Sequence, residues 1–351
     1  MADRMRVGVV MGGRSSEREI SLESGRNIFN TLDRSRFEPV PIYMDADGRL
    51  WEIGLPLVVQ NTTKDIEDRL ATDAERLPYE ELAERVDFVY LGLHGKYGED
   101  GCFQGLLELI DVPYCGSGVL GSALGMDKHV QRAILRGAGI DVPRTVPVTD
   151  AEWSSDAADV ARRIADEVGF PCVVKPSREG CSTALAVVPD AGALSAAVDE
   201  ALKWDNRALV EEIMSGMEVT VAVLGNEQPT AYQPTETPPK GDFLTVEEKF
   251  LPGEGVNVTP ARLPDETLRA VRQTAEKAFR VLGLNVFARM DMYVTDDGRI
   301  VLGEPNTLPG SSPSSTIFLG PMEEGMGPAA LLTRIVEMSL EAHSAKKGPL
   351  G

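Results

Sequence analysis

The chain has 351 residues, too many for one ordinary core, so two or three domains are expected. Its 42% hydrophobic and 26% charged residues belong to a globular protein and exclude collagen, coiled coil and general disorder. The 35 basic and 55 acidic residues leave a net charge of -20, which opposes attraction to nucleic acid or to an anionic membrane surface.

Four cysteines (Cys102, Cys115, Cys172 and Cys181) form no CxxC pair, and the chain holds only three histidines, so neither a zinc site nor a disulfide framework is expected. The first apolar run, Val7 to Met11, stops at Gly12, Gly13 and Arg14 and is too short for a signal segment. No run reaches the ~18 to 20 apolar residues that cross a bilayer. The expected location is the cytoplasm, with no membrane or nucleic-acid partner.

In chain order, Arg6 to Met11 reads as a buried strand, followed by a glycine turn and a helix opened by a capping box of Ser16 and Glu19. Val86 to Leu93 is a second strand and Gly101 to Ile110 a helix, an alternation that predicts a parallel α/β layer. Small residues over Gly116 to Gly121 mark a domain seam, with a helix over Met126 to Arg136 beyond it. Val160, Ile164 and Val168 form a helical stripe, and Cys172 to Lys175 and Ala184 to Val188 are short strands either side of a polar turn. Arg207 to Met214 and Glu218 to Leu224 continue as strands. Gln233 to Pro264, rich in proline and glycine, reads as a long loop of the kind that carries function. Residues 266 to 282 form an amphipathic helix, and strands Phe287 to Thr295 and Arg299 to Glu304 meet across Asp296-Asp297-Gly298.

That last hairpin carries the first chemical signal. A two-residue type I′ turn at Asp297-Gly298 sets Asp291 opposite Glu304 and Arg289 opposite Asn306, with all four side chains on one face. Two facing carboxylates repel unless something offsets them. A solvated face screened by water and Arg289 would do so. So would Mg2+, which suits oxygen-only ligands and also bonds substrate phosphates. The second signal is Lys175, which closes a strand ahead of the polar turn Pro176 to Thr183. Such a loop can cover a polyphosphate, although it has no GxxxxGK(S/T) pattern, and a plain surface hairpin would look the same.

Six segments in fixed order give the chain a specific likeness. These are Gly12-Gly13-Arg14-Ser15-Ser16-Glu17-Arg18-Glu19-Ile20-Ser21, His94-Gly95-Lys96-Tyr97-Gly98-Glu99-Asp100-Gly101, Met126-Asp127-Lys128, Lys175-Pro176-Ser177-Arg178-Glu179-Gly180, Arg289-Met290-Asp291 and Glu304-Pro305-Asn306-Thr307-Leu308-Pro309-Gly310. With them the chain resembles the D-alanine:D-alanine ligases of the ATP-grasp superfamily. The resemblance implies a three-domain α/β and α+β architecture: an N-terminal parallel α/β domain over 1–120, and ATP held between a central subdomain (121–210) and a C-terminal one (211–345). It implies ATP and D-alanine as substrates, two Mg2+ ions that Mn2+ could replace, and a homodimer formed through the N-terminal domain.

By the same likeness, Lys128 and Lys175 contact ATP phosphates under the loop of Gly180, Cys181 and Ser182. The backbone of Glu211, Glu212, Ile213 and Met214 reads adenine, and Glu218 binds the ribose. Asp291, Glu304 and Asn306 hold the metal. Glu17 holds the ammonium of the first D-alanine, with His94 and Glu99 nearby. Arg289 and the Gly310 amide stabilise the tetrahedral oxyanion, and Ser315 binds the acceptor's carboxylate. Phe243 to Pro260 is a lid that points Lys249 inward. The implied chemistry is activation of a carboxylate as an acyl phosphate, then attack by the second amine.

Three departures fall in the acceptor half. Cys181 stands where the family has serine, Phe250 where it has tyrosine, and Ser311-Ser312-Pro313-Ser314-Ser315-Thr316 replaces Met-Thr-x-x-Ser-Leu, so that Thr316 takes the place of an apolar residue. A thiol donates weakly and a phenyl ring not at all. Either the family reaction continues with these swaps, or the acceptor has changed to D-serine, a hydroxy acid or another amine. A redox role for Cys181 competes with its being a small inert hydrophobe. A non-catalytic nucleotide-binding protein would have lost lysines or metal ligands that are all present here.

Overall fold

A computed structural model describes residues 4–180, 183–238 and 256–346. Three sheets organise them. The first has the order β4-β3-β2-β1-β5, with β1 (Met5–Gly12), β2 (Phe37–Met44), β3 (Leu50–Ile53), β4 (Ala74–Leu77) and β5 (Phe88–Leu91). β1 runs parallel to both β2 and β5, as the alternation predicts, and its Val7, Val9, Val10 and Met11 are fully buried because helices cover both faces of such a layer. β3 and β4 add antiparallel strands at one edge.

The second sheet is antiparallel, in the order β6-β9-β7-β8, from β6 (Thr145–Thr149), β7 (Cys172–Pro176), β8 (Ala186–Val188) and β9 (Arg207–Glu212). Helices Asp150–Glu167 and Ala191–Leu202 bury Val160, Ile164, Leu194 and Val198 against one of its faces, which leaves Lys175 and Glu211 on the other. The third sheet, β11-β10-β13-β14 with β12 beside β10, is built from β10 (Met217–Gly225), β11 (Thr230–Ala231), β12 (Thr235–Glu236), β13 (Val286–Val294) and β14 (Ile300–Asn306). Helix Asp265–Val281 packs on it through Val271, Ala275 and Ala278. The C-terminal helix Pro328–Ser344 sends Leu331, Leu332 and Ile335 into the core shared with β1.

Three local expectations change. The first helix starts at Arg18 with Glu17 at its N-cap, not with Ser16, and Glu19 turns away to accept from the Thr63 amide and hydroxyl (2.6 Å from Oγ1). A tertiary partner outcompetes the capping box. The helix expected over Met126 to Arg136 is two helices, Val119–Met126 and Lys128–Gly137, broken at Asp127, whose carboxylate accepts from the amides of His129 and Val130.

The hairpin differs most. Its loop has three residues, Asp296 to Gly298, closed by Thr295 N donating to Arg299 O (2.9 Å). Gly298 is left-handed (φ +85°) while Asp297 is not, its carboxylate being taken up by Thr295 Oγ1 and Arg299 Nε. Val294 therefore pairs with Ile300 and Met292 with Leu302. A bulge at Gly303 then shifts the register by one, and Asp291 meets Glu304 and Arg289 meets Asn306 after all.

Candidate active site

The three units surround a cleft open to solvent and lined by Glu17, His94 and Glu99 from the N-terminal unit, Gly180 from the turn after β7, and Arg289, Asp291, Glu304, Asn306 and Gly310 from the third unit and the loop after it. Glu17 is brought in by its place at the start of helix Arg18–Thr31, where its carbonyl accepts from Ser21 N (2.9 Å). Its carboxylate lies between two glycine backbones. A Cβ added at Gly180 would fall 1.9 Å from Glu17 Oε1, and one at Gly95 would fall 3.1 Å from it.

Glu99 accepts from Gly95 N (2.7 Å). Burial, with the Glu17 charge next, pushes its carboxyl up to about 8, so this corner of the cleft holds one proton near neutral pH. His94 is buried and its imidazole is held neutral, pushed down to about 4 by burial. Nδ1 lies 3.0 Å from Leu308 O, a group that only accepts, so Nδ1 carries the proton. Nε2 then accepts from Ser24 Oγ at 2.8 Å.

Opposite lies a cluster of alternating charge. Asp291 accepts from both Arg289 Nε and Nη2 (each 2.7 Å) and from Asn306 Nδ2 (3.0 Å). Burial opposes the Arg289 charge, but the Asp291 carboxylate outweighs it and holds the guanidinium well above its usual range. Lys128, buried in the first turn of its helix, pairs with Glu304 Oε1 (2.7 Å) and donates to Glu179 O (2.9 Å). Lys175 pairs with Glu211 Oε2 (2.9 Å), which also takes the guanidinium of Arg132. Burial would raise the Glu211 carboxyl, but the Lys175 and Arg132 charges outweigh it and hold it down at about 2. Each buried charge thus has a partner, the condition for tolerating it.

The remaining expected residues sit around this cleft. The side chain of Glu211 serves this ion cluster, while Glu212 pairs with Arg144 (2.8 Å). β9 ends at Glu212, so Ile213 and Met214 lie in the half-buried connection to β10 rather than in a strand. Glu218 stands opposite Tyr293 on β13. Ser315 is the N-cap of the turn Thr316–Phe318; its Oγ is 2.9 Å from Ser312 Oγ and 3.5 Å from where a Cβ on Gly310 would be. Cys181, Ser182, Phe243, Lys249 and Phe250 lie outside the described residues. Sequence reasoning passed over Arg132, Ser24, Asn27 and Thr307. Ser21, Ser24 and Asn27 recur at helical spacing on one face, which is a readable sign of a polar face meeting something inside the protein.

A cleft between two antiparallel sheets, with Lys175 on one sheet and Lys128 at a helix start beside the paired carboxylates of the other, is the layout of an ATP-grasp ligase. Family profiles agree, D-ala D-ala ligase N-terminus matching residues 6–117 and D-ala D-ala ligase C-terminus residues 134–337. The D-alanine–D-alanine ligase of Geobacillus thermodenitrificans is 34% identical over 98% of both chains. Among solved structures, the VanG D-Ala:D-Ser ligase of Enterococcus faecalis superposes with a TM-score of 0.83 at 27% identity, covering 96% of this chain and 100% of that one. The Bacillus anthracis D-alanine–D-alanine ligase complexed with ATP superposes with a TM-score of 0.74 at 30% identity, covering 97% and 99%. The chain belongs to the D-alanine–D-alanine ligase family. It is an enzyme, a ligase of ATP-grasp fold.

Proposed function

We propose that the enzyme joins two D-alanines into D-alanyl-D-alanine in the cytoplasm, for peptidoglycan precursor synthesis, with ATP consumed to form D-alanyl phosphate on the way. The observation that carries this reading is the meeting of Glu17, Arg289 and Gly310 in one cleft with the ion cluster of Lys128, Lys175, Glu304 and Asp291. One end then has an anion for a substrate ammonium, and the other has buried cations for a polyphosphate. We assign the units 1–120, 121–210 and 211–345 to the donor site, the phosphate-covering subdomain and the metal-bearing subdomain, with residues 211–214 and Glu218 serving the nucleoside and a homodimer formed through the N-terminal unit.

In the first step the carboxylate of the first D-alanine attacks the γ-phosphorus and ADP leaves. Lys128 and Lys175 hold the phosphates, and Arg289 neutralises the developing charge. In the second step the amine of the second D-alanine attacks the acyl carbon, the oxyanion faces Arg289 and the Gly310 amide, and phosphate departs. Ser315 receives the acceptor's carboxylate, and Lys249 on the lid excludes water. Among the described residues no three His, Cys, Asp or Glu side chains converge as a metal site. The set Asp291, Glu304 and Asn306 does fit a hard cation, since it offers two carboxylates and one amide oxygen. These three would hold Mg2+, which when bound supplies charge neutralisation at the polyphosphate.

A second reading, a changed acceptor, is supported by the serine-rich segment Ser311 to Ser315 with Thr316 and by the likeness to a D-Ala:D-Ser ligase. Phosphate release from ATP with D-alanine alone, then with D-serine, D-lactate or other amines added, tests both. Product from D-alanine alone is expected, and product formed only with a different second nucleophile would establish the alternative.

A further inference from the structure

The segment Leu308 to Ser311 carries Gly310 into the cleft, and its backbone is gripped from outside. Leu308 O accepts from His94 Nδ1 (3.0 Å), Ser311 N donates to Ser24 Oγ (3.0 Å), and Ser311 O accepts from Asn27 Nδ2 (2.7 Å). All three partners belong to the N-terminal unit. Ser24 and Asn27 lie one turn apart on helix Arg18–Thr31, and His94 follows β5, with its own amide on Ser21 Oγ (2.9 Å). The two grips are joined, because His94 Nε2 lies 2.8 Å from Ser24 Oγ.

Counting donors settles the directions. A serine hydroxyl has one proton and two lone pairs, so Ser24 can give its proton to Nε2 and still accept from Ser311 N. A neutral imidazole has one donor and one acceptor, and both are used inside the protein. His94 therefore has nothing left to offer an amino acid's ammonium or carboxylate, although its ring lines the cleft. Ser24 is fully buried and is not among the residues lining the cleft.

We propose that His94 and Ser24 are positioning residues, a relay that fixes the Gly310 amide, and not ligands for the donor substrate. What the amide does there rests on the ligase reading; the relay itself does not. Fixing the loop from both flanks holds the N–H between them where the oxyanion forms, at no cost in reorganisation during the reaction. The expected signature is a loss in kcat with substrate affinity preserved, since the relay touches no substrate.

The test uses the full chain with Ser24→Ala, Ser24→Thr, His94→Asn and the Ser24→Ala/His94→Asn double variant. In Ser24→Ala, kcat should fall about ten-fold, the effect of one lost hydrogen bond, with KM for ATP and for D-alanine held within about two-fold. Ser24→Thr keeps the hydroxyl and should recover most of the loss. The double variant should fall no further than the worse single one, as two parts of one relay must. Hydrogen exchange over residues 306–312, read without substrate, should quicken in Ser24→Ala. Asn27→Ala, on the half-buried side of the helix, is the second variant should loss of Ser24 impair folding. Raised D-alanine KM with intact kcat in His94→Asn would make His94 a ligand and overturn the proposal, as would unchanged kcat and exchange in Ser24→Ala. Wild-type enzyme that releases no phosphate with D-alanine refutes the ligase reading instead, and the exchange result still decides the relay.

Discussion

Gly180→Ala isolates the contact between the phosphate-covering turn and Glu17. The new Cβ would stand 1.9 Å from Glu17 Oε1, whereas ordinary contact begins near 3.4 Å, so the carboxylate must retreat by the difference, about 1.5 Å. Because the displaced atom ends a flexible side chain, the fold should lose little; the melting temperature is expected within about 2 °C of wild type, less than 1 kcal/mol would shift it. Catalysis should lose much more, since a misplacement of ~1 Å in a positioning group can cost about 100-fold. Steady-state kinetics should therefore show kcat/KM for D-alanine falling by about 100-fold while KM for ATP stays put. Gly95→Ala is the control. There φ is +69° and the new Cβ meets Ser15 Cβ at 2.9 Å, so about 1 to 2 kcal/mol of stability should go. If Gly180→Ala leaves D-alanine kinetics unchanged, or lowers ATP affinity alone, the placement of Glu17 beside this turn has no functional meaning and the reasoning fails.

Three further outcomes are expected. Glu211 has its carboxyl held down from 4.5 to about 2, worth about 3 kcal/mol that is fully present above pH 4.5 and lost as pH falls through 2. In urea titrations Glu211→Gln should be less stable at pH 6 and the gap should narrow towards pH 2; a constant gap would contradict this. Glu99 has the opposite sign. Its folded carboxyl keeps a proton up to about 8 that the unfolded chain loses near 4.5, so wild-type stability falls as pH rises across that window. Glu99→Gln should gain on wild type between pH 5 and 8 in thermal melts, and parallel pH curves would refute the assignment. Asp291→Asn should abolish turnover and also lower stability by about 3 kcal/mol, because it leaves the buried Arg289 without its counter-charge. Unchanged phosphate release, or an unchanged melt, would contradict one or other half of that statement.

The hairpin shows how far residue order alone can be read. The opposition of Asp291 and Glu304 was legible, yet by a path with two compensating errors. The turn at Asp296 to Gly298 is one residue longer than a type I′ pairing allows, and Gly303 absorbs the difference. A glycine inside a strand is a known mark of a bulge, so Gly303 was a readable signal that went unused. What lay beyond reach was the pairing of Lys128 with Glu304 and of Lys175 and Arg132 with Glu211, since nothing local in the chain says which carboxylate each cation will meet. The first helix shows the same limit. Ser16 and Glu19 form a sound local cap, but Thr63, far along the chain, claims Glu19. Each of the two facing carboxylates has a cation from the protein itself, Arg289 on Asp291 and Lys128 on Glu304; the first was an expected screen, and the second was not. His94, matched to a substrate-binding position, has both ring nitrogens occupied.

The bulge at Gly303 makes the reading frame of β14 an adjustable part. If Gly303 were drawn into the ladder opposite Asp291, the one-residue offset would vanish, and every side chain from Glu304 onward would swing through the sheet to its far side, carrying the acid and the amide of Asn306 away from Asp291. An extra residue placed at the tip beyond Gly298 would instead be taken up as slack in solvent, far from the cleft. Lineages that lengthen this tip should therefore keep their chemistry, whereas those in which the residue at 303 pairs in regular register should lose it.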